Sequence, residues 1–144
     1  MDAEKEELVK LLQSESAHDN FNTVAGKFPT NLINRKIPGV AYTPWYLIEH
    51  VRIAQKDMLD YLIGTNYKEL EWPKDYWPSP QKKVTIADWN KTVRNYNNDL
   101  VELIKIIKKE KDVSKIFRKI LIVADHTAYH VGELSIVKSI LRST

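Results

Sequence analysis

Two histidines stand one helical turn apart in Asp125-His126-Thr127-Ala128-Tyr129-His130. On an α-helix their side chains differ by only about 40° in azimuth, so both imidazoles can reach one point. That is the spacing at which helical histidines share a metal ion. The segment is not a zincin motif, because Thr127 holds the place that Glu takes in H-E-x-x-H as general base. A third imidazole, His50, belongs to a different helical segment. Helical wheels place His130, His126 and His50 about 20°, 60° and 40° outside the apolar arcs of their helices. Edge positions of this kind suit a metal site at the mouth of a helix bundle, open to water on one side. Three imidazoles plus an open position is the arrangement of catalytic rather than structural zinc. Zinc and nickel are the leading ions for such a site, iron and manganese also fit, and copper accepts imidazole too.

Further polar residues lie near these ligands. Asp57, seven residues after His50 and within about 20° of it on the wheel, is placed either to orient an imidazole from behind or to be a solvated carboxylate. Glu133, one turn past His130, reads as a surface charge or a base. His18 falls in a turn region and reads as surface, with a place near the pocket as the alternative.

Four helical segments must position these groups, and no strand alternation separates them. The first runs from Ala3 to Gln13, with Asp2 as N-cap and Leu8, Leu11 and Leu12 facing inward. A short helical piece is expected between Asp19 and Lys27. The second long segment is capped by Thr43 with Pro44 at the first helical position. It carries Leu47, Val51, Ala54, Met58 and Leu62 inward and stops at Gly64. The third opens on the capping-box pattern Thr85-Ile-Ala-Asp88 and continues to Lys109. The fourth is expected from Ser114 nearly to the C-terminus. The fold class is therefore all-α, one domain over residues 1–144, built as a four-helix bundle with a long aromatic and proline-rich loop between its second and third helices. That loop contains Trp72, Tyr76 and Trp77, which are expected to be buried as a lid beside the site.

Composition removes most other chemistries. There is no cysteine among the 144 residues, which excludes disulfides, thiol nucleophiles and Cys-based metal sites. The four glycines are too scattered for a phosphate-cradling loop. Twenty-two Lys and Arg against 19 Asp and Glu give a net charge of only +3, with signs interleaved, so nucleic acid is not an expected partner. No apolar run reaches the roughly 18 residues of a membrane span. The acidic start lacks a secretory h-region, so a cytoplasmic protein is expected.

The segment Asp125 to Ser135, together with Thr43 to Asp60, resembles the DinB-like (DinB/YfiT-like) superfamily. Trp72-Pro-Lys-Asp-Tyr-Trp-Pro78 and Ala17-His18 are similar to one bacterial subgroup of it, and the likeness spans about Leu11 to Leu141. It implies a four-helix bundle, often a homodimer, holding a divalent metal through His50, His126 and His130. It also implies a small-molecule substrate. Characterised relatives include S-transferases and isomerases that use a low-molecular-weight thiol such as bacillithiol, mycothiol or glutathione. A metal-dependent thiol transferase or hydrolase acting on a small electrophile is thus one expectation. The other is a non-catalytic metal-binding or interaction bundle of a stress- or damage-associated kind. Relatives often have Gln where this chain has Glu133, and the connection Glu110 to Ser114 is shorter than is usual among them.

Overall fold

The computed structural model describes residues 2–80 and 83–144. These form five α-helices, α1 (Ala3–Leu12), α2 (Phe21–Gly26), α3 (Pro44–Ile63), α4 (Ile86–Lys109) and α5 (Phe117–Arg142), with three short 3-10 turns and no strand. No helix among them is long and apolar enough to cross a membrane.

Helix ends follow local chemistry. The Thr43 hydroxyl accepts the Tyr46 N–H at the start of α3, Pro44 occupies the first turn, and Gly64 ends the helix in the left-handed conformation at φ 76°. At α4 both halves of the capping box form, with Asp88 accepting the Thr85 N–H at 2.8 Å and Thr85 accepting the Asp88 N–H at 3.2 Å. The last helix starts later than its periodicity suggests. Asp112 accepts both the N–H and the hydroxyl of Ser114, which folds Val113–Lys115 into a 3-10 turn before α5 begins at Phe117.

Helix α3 packs against α4 and α5, while α1 and α2 lie across α4 and α5. Leu47, Ile48 and Leu59 of α3, Leu103 and Ile107 of α4, and Ile120 and Leu134 of α5 are almost completely buried. Phe21 of α2 stacks on Tyr96 of α4 with ring centroids 3.8 Å apart, joining the short helix to this core.

The buried stripe of α3 differs from the expected one. Ala54, Met58 and Leu62 are only half-buried, and Gln55 is 2% exposed. The Gln55 amide donates to the Tyr96 carbonyl at 2.9 Å, and this bond lets a polar side chain occupy a core position. On α1, Leu8 and Leu12 are buried but Leu11 is exposed, so only part of its leucine stripe faces the core.

Candidate metal centre

The bundle edge where α3 meets α5 collects three imidazoles. One ring nitrogen from each of His50, His126 and His130 lies within 4.8 Å of the other two. The ring centroids of His126 and His130 are 4.5 Å apart, as one helical turn dictates, and His50 sits 4.9 and 4.7 Å from them. His50 is 1% exposed and His130 8%, with His126 half-buried. The centre is therefore more enclosed than the edge of a helical wheel suggests, because Trp77 covers it.

Each buried ring needs its outer nitrogen satisfied. Nδ1 of His50 donates to the Tyr76 carbonyl at 2.6 Å. A carbonyl can only accept, so the proton is on Nδ1 and Nε2 keeps its lone pair. Nδ1 of His130 donates to Glu133, whose other oxygen accepts the Tyr42 hydroxyl. This is the carboxylate–histidine arrangement that fixes the tautomer and raises the basicity of a metal-ligating imidazole. Nε2 of His126 is 3.1 Å from Nε2 of His50. Two nitrogens of a tetrahedral ion bound at 2.0–2.1 Å are about 3.3 Å apart, so this spacing needs little adjustment to admit a metal.

Electrostatics favour the neutral ring at His50 and at His126. Burial lowers the pKa of His50, and that of His126 is pushed down to about 4 by burial and then by the other two imidazoles. Only the neutral ring can ligate a metal. In the same surroundings burial, reinforced by Glu133, raises the Tyr42 phenol well above its usual range, so Tyr42 is a proton donor here and not a phenolate. Donor type, the outer hydrogen bonds of His50 and His130, and the neutral rings of His50 and His126 suit a divalent transition metal.

The loop after α3 forms one wall. The Trp77 ring lies parallel to His50, 3.6 Å away with an interplanar angle of 4°. Tyr42 and Tyr46 flank the indole at 5.6 and 5.4 Å. On the solvent side, Tyr42, Tyr46, Trp77, Pro73, Lys74 and Pro78 help to line a groove of about 510 Å³, within the size range of small-molecule sites.

Several sequence expectations need correction. Trp72 is 70% exposed, with only the Tyr76 ring beside it at 5.3 Å. The lid therefore consists of Tyr76 and Trp77, both half-buried. Between the two tryptophans stands the 3-10 turn Lys74–Tyr76, and only its last residue and the one after it, Tyr76 and Trp77, meet α3. Asp57 touches no imidazole, since its oxygens accept the hydroxyls of Tyr67 and Tyr76. Glu133 is the partner of His130 and not a free surface charge. His18 is exposed, its ring bonded to the neighbouring Asp19 carbonyl, and it takes no part in the cluster. Tyr42 and Tyr46 were not singled out by motif, although the four-residue spacing of Tyr42, Tyr46 and His50 marks one edge of α3 and its cap.

No family model, curated protein or solved structure matched the chain in searches of all three kinds.

Proposed function

We propose that the protein is a divalent-metal-dependent enzyme of the DinB-like type, acting on a small electrophile with a low-molecular-weight thiol or water as nucleophile. The observation that carries this reading is the orientation of the imidazoles. The outer nitrogens of two rings are tied to a carbonyl and a carboxylate, and all three rings converge. With its outer proton held by the Tyr76 carbonyl, His50 turns the lone pair of Nε2 toward Nε2 of His126 at 3.1 Å, where an ion would replace the hydrogen that joins the two rings. The packing of α1, α3, α4 and α5 supports the four-helix bundle that goes with this reading. A homodimer also belongs to it, and the outer face of α5 suits one, with Ile122, Tyr129 and Ile136 exposed seven residues apart.

His50, His126 and His130 would hold the ion, with zinc or nickel the best match to three imidazoles and iron or manganese next. When bound, such an ion supplies Lewis acidity and lowers the pKa of a thiol or water toward neutrality. The chain's own contributions are specific. Glu133 keeps the His130 proton on Nδ1 and thereby aims Nε2 inward. Tyr42 donates to the second oxygen of Glu133 and holds that carboxylate in place. Trp77 shields His50 from water. The groove beyond Trp77 offers aromatic and proline surface to an organic substrate, with Lys74 on its rim for an anionic group.

The test is metal analysis of protein purified without a histidine tag, followed by assays of thiols such as bacillithiol and glutathione against halogenated or epoxide acceptors. The expected result is about one equivalent of metal per chain and turnover that is lost on chelation and in His126→Ala. Stoichiometric metal with no turnover toward any acceptor, by thiol or by water, favours the non-catalytic metal-binding bundle. Turnover that survives chelation overturns the metal-dependent reading.

A further inference from the structure

We infer that Asp57 and Tyr76 are positioning residues for the His50 ligand, acting as a relay in which α3 holds the loop and the loop holds α3's own histidine. The inference rests on the metal-centre reading above and extends it to residues that touch no ion. Asp57 lies on α3 seven residues after His50. Its Oδ2 accepts the Tyr76 hydroxyl at 2.6 Å and its Oδ1 accepts the Tyr67 hydroxyl at 2.8 Å. The Tyr76 ring is thereby pinned to the helix flank. The same residue presents its backbone carbonyl to His50 Nδ1 at 2.6 Å, and the next residue, Trp77, covers the imidazole face.

One tyrosine therefore carries both ends of the relay. Its phenol fixes where the 3-10 turn docks, and its carbonyl fixes which nitrogen of His50 bears the proton. A carbonyl on a free loop would do this only part of the time. Outer partners of ligating histidines commonly change metal affinity by roughly 10–100-fold. Here the outer partner is a main-chain group that no side-chain substitution can delete, so its control passes to the residues that anchor it. Tyr67 shares Asp57 but has no bond to His50, which makes it an internal control.

Zinc affinity, measured by competition with a chromophoric chelator, and the ¹⁵N shifts of the His50 ring in metal-free protein at pH 7.5 test the relay together (pH chosen about one unit above the ordinary histidine pKa). In the wild type, His50 is expected to show the pure Nδ1–H tautomer. Tyr76→Phe is expected to weaken zinc binding about tenfold or more and to move both His50 shifts toward the tautomeric average. Asp57→Asn keeps one acceptor oxygen and is expected to give a smaller change in the same direction, which covers the case in which Tyr76→Phe folds poorly. Tyr67→Phe should leave affinity within about twofold and the tautomer unchanged, although it also removes a bond to Asp57. Wild-type affinity and a pure Nδ1–H tautomer in both Tyr76→Phe and Asp57→Asn would overturn the inference. Equal losses in Tyr67→Phe and Tyr76→Phe without a tautomer change would overturn it in favour of general destabilisation. Should wild-type protein bind no zinc, the metal reading fails while the tautomer shifts still decide the relay.

Discussion

On α5, His126 and His130 need nothing but a helix. Four residues of register bring the rings to 4.5 Å, and Glu133, three residues further on, ties the outer nitrogen of His130. On α3, His50 stands alone, and its outer nitrogen is satisfied by a backbone carbonyl from a loop 26 residues downstream. The α5 half of the centre forms when its helix forms. The α3 half is complete only after the loop has docked, so the two halves differ in how much of the tertiary structure each requires. A histidine cluster can thus join a local, helix-coded pair to a third member whose alignment depends on a distant contact.

Removing a ligand from the α5 half gives the largest expected effect. His130→Ala should reduce zinc affinity by at least about 100-fold in equilibrium dialysis, near 2.8 kcal/mol at about 1.4 kcal/mol per decade. Retention of wild-type affinity in this variant would show that the pair on α5 is not the main holding element.

Acid asks what keeping the imidazoles neutral costs the fold. The folded value for His126 is about 4, below the unfolded value of about 6.5. The unfolded chain therefore binds the proton more readily between these limits. Stability of the metal-free protein is full above about pH 6.5 and falls as pH drops toward 4. Urea unfolding in the presence of chelator at several pH values measures the slope. His126→Asn should flatten it, and an unchanged slope in that variant would assign the acid sensitivity elsewhere.

Glu133→Gln probes the local brace of the α5 half. It preserves shape but replaces a charged acceptor of the His130 proton with a neutral one, and about a tenfold loss of zinc affinity is expected. A loss much smaller than that of Tyr76→Phe would mean that the distant brace matters more than the local one. The smallest effect belongs to the loop's outer tryptophan. Trp72→Ala should change stability by no more than about 0.5 kcal/mol and leave metal affinity unaltered, because that ring covers neither half. A destabilisation of several kcal/mol in thermal unfolding would show that the exposed ring is covered in solution.

The same division governs how much could be read from the sequence. Thr43-Pro44, Gly64 and Thr85 with Asp88 announce helix ends through chemistry contained within four residues, and these boundaries agree with the structure. The i, i+4 histidines are legible for the same reason, and His50 could be added from its place on a wheel. Glu133 is visible as a neighbour of His130, but the second contact of its carboxylate, from Tyr42 just before α3, has no local signature. The Tyr76 carbonyl has no sequence signature at all, because every residue has one. Gln55 is absent from the expected stripe of α3 because hydropathy ranks an amide as exposed, whereas a carbonyl on α4 satisfies it in the core. Trp72 and Trp77 have the same composition and nearly the same neighbourhood, so aromatic content alone could not separate the exposed ring from the docked one.

The indole stacked on His50 gives the centre an optical reporter of its own. A protonated imidazole, or a paramagnetic ion such as Ni²⁺ or Cu²⁺ held by that ring, quenches indole emission at contact distance, and Trp77 sits 3.6 Å away. Of the four tryptophans, Trp45 and Trp89 are buried in the core and Trp72 faces solvent. Replacing Trp72 with Phe would remove the most red-shifted background without touching the centre. Above the emission of Trp45 and Trp89, a change in the Trp77 signal would report an ion entering the cluster, timed by stopped flow without attaching a dye.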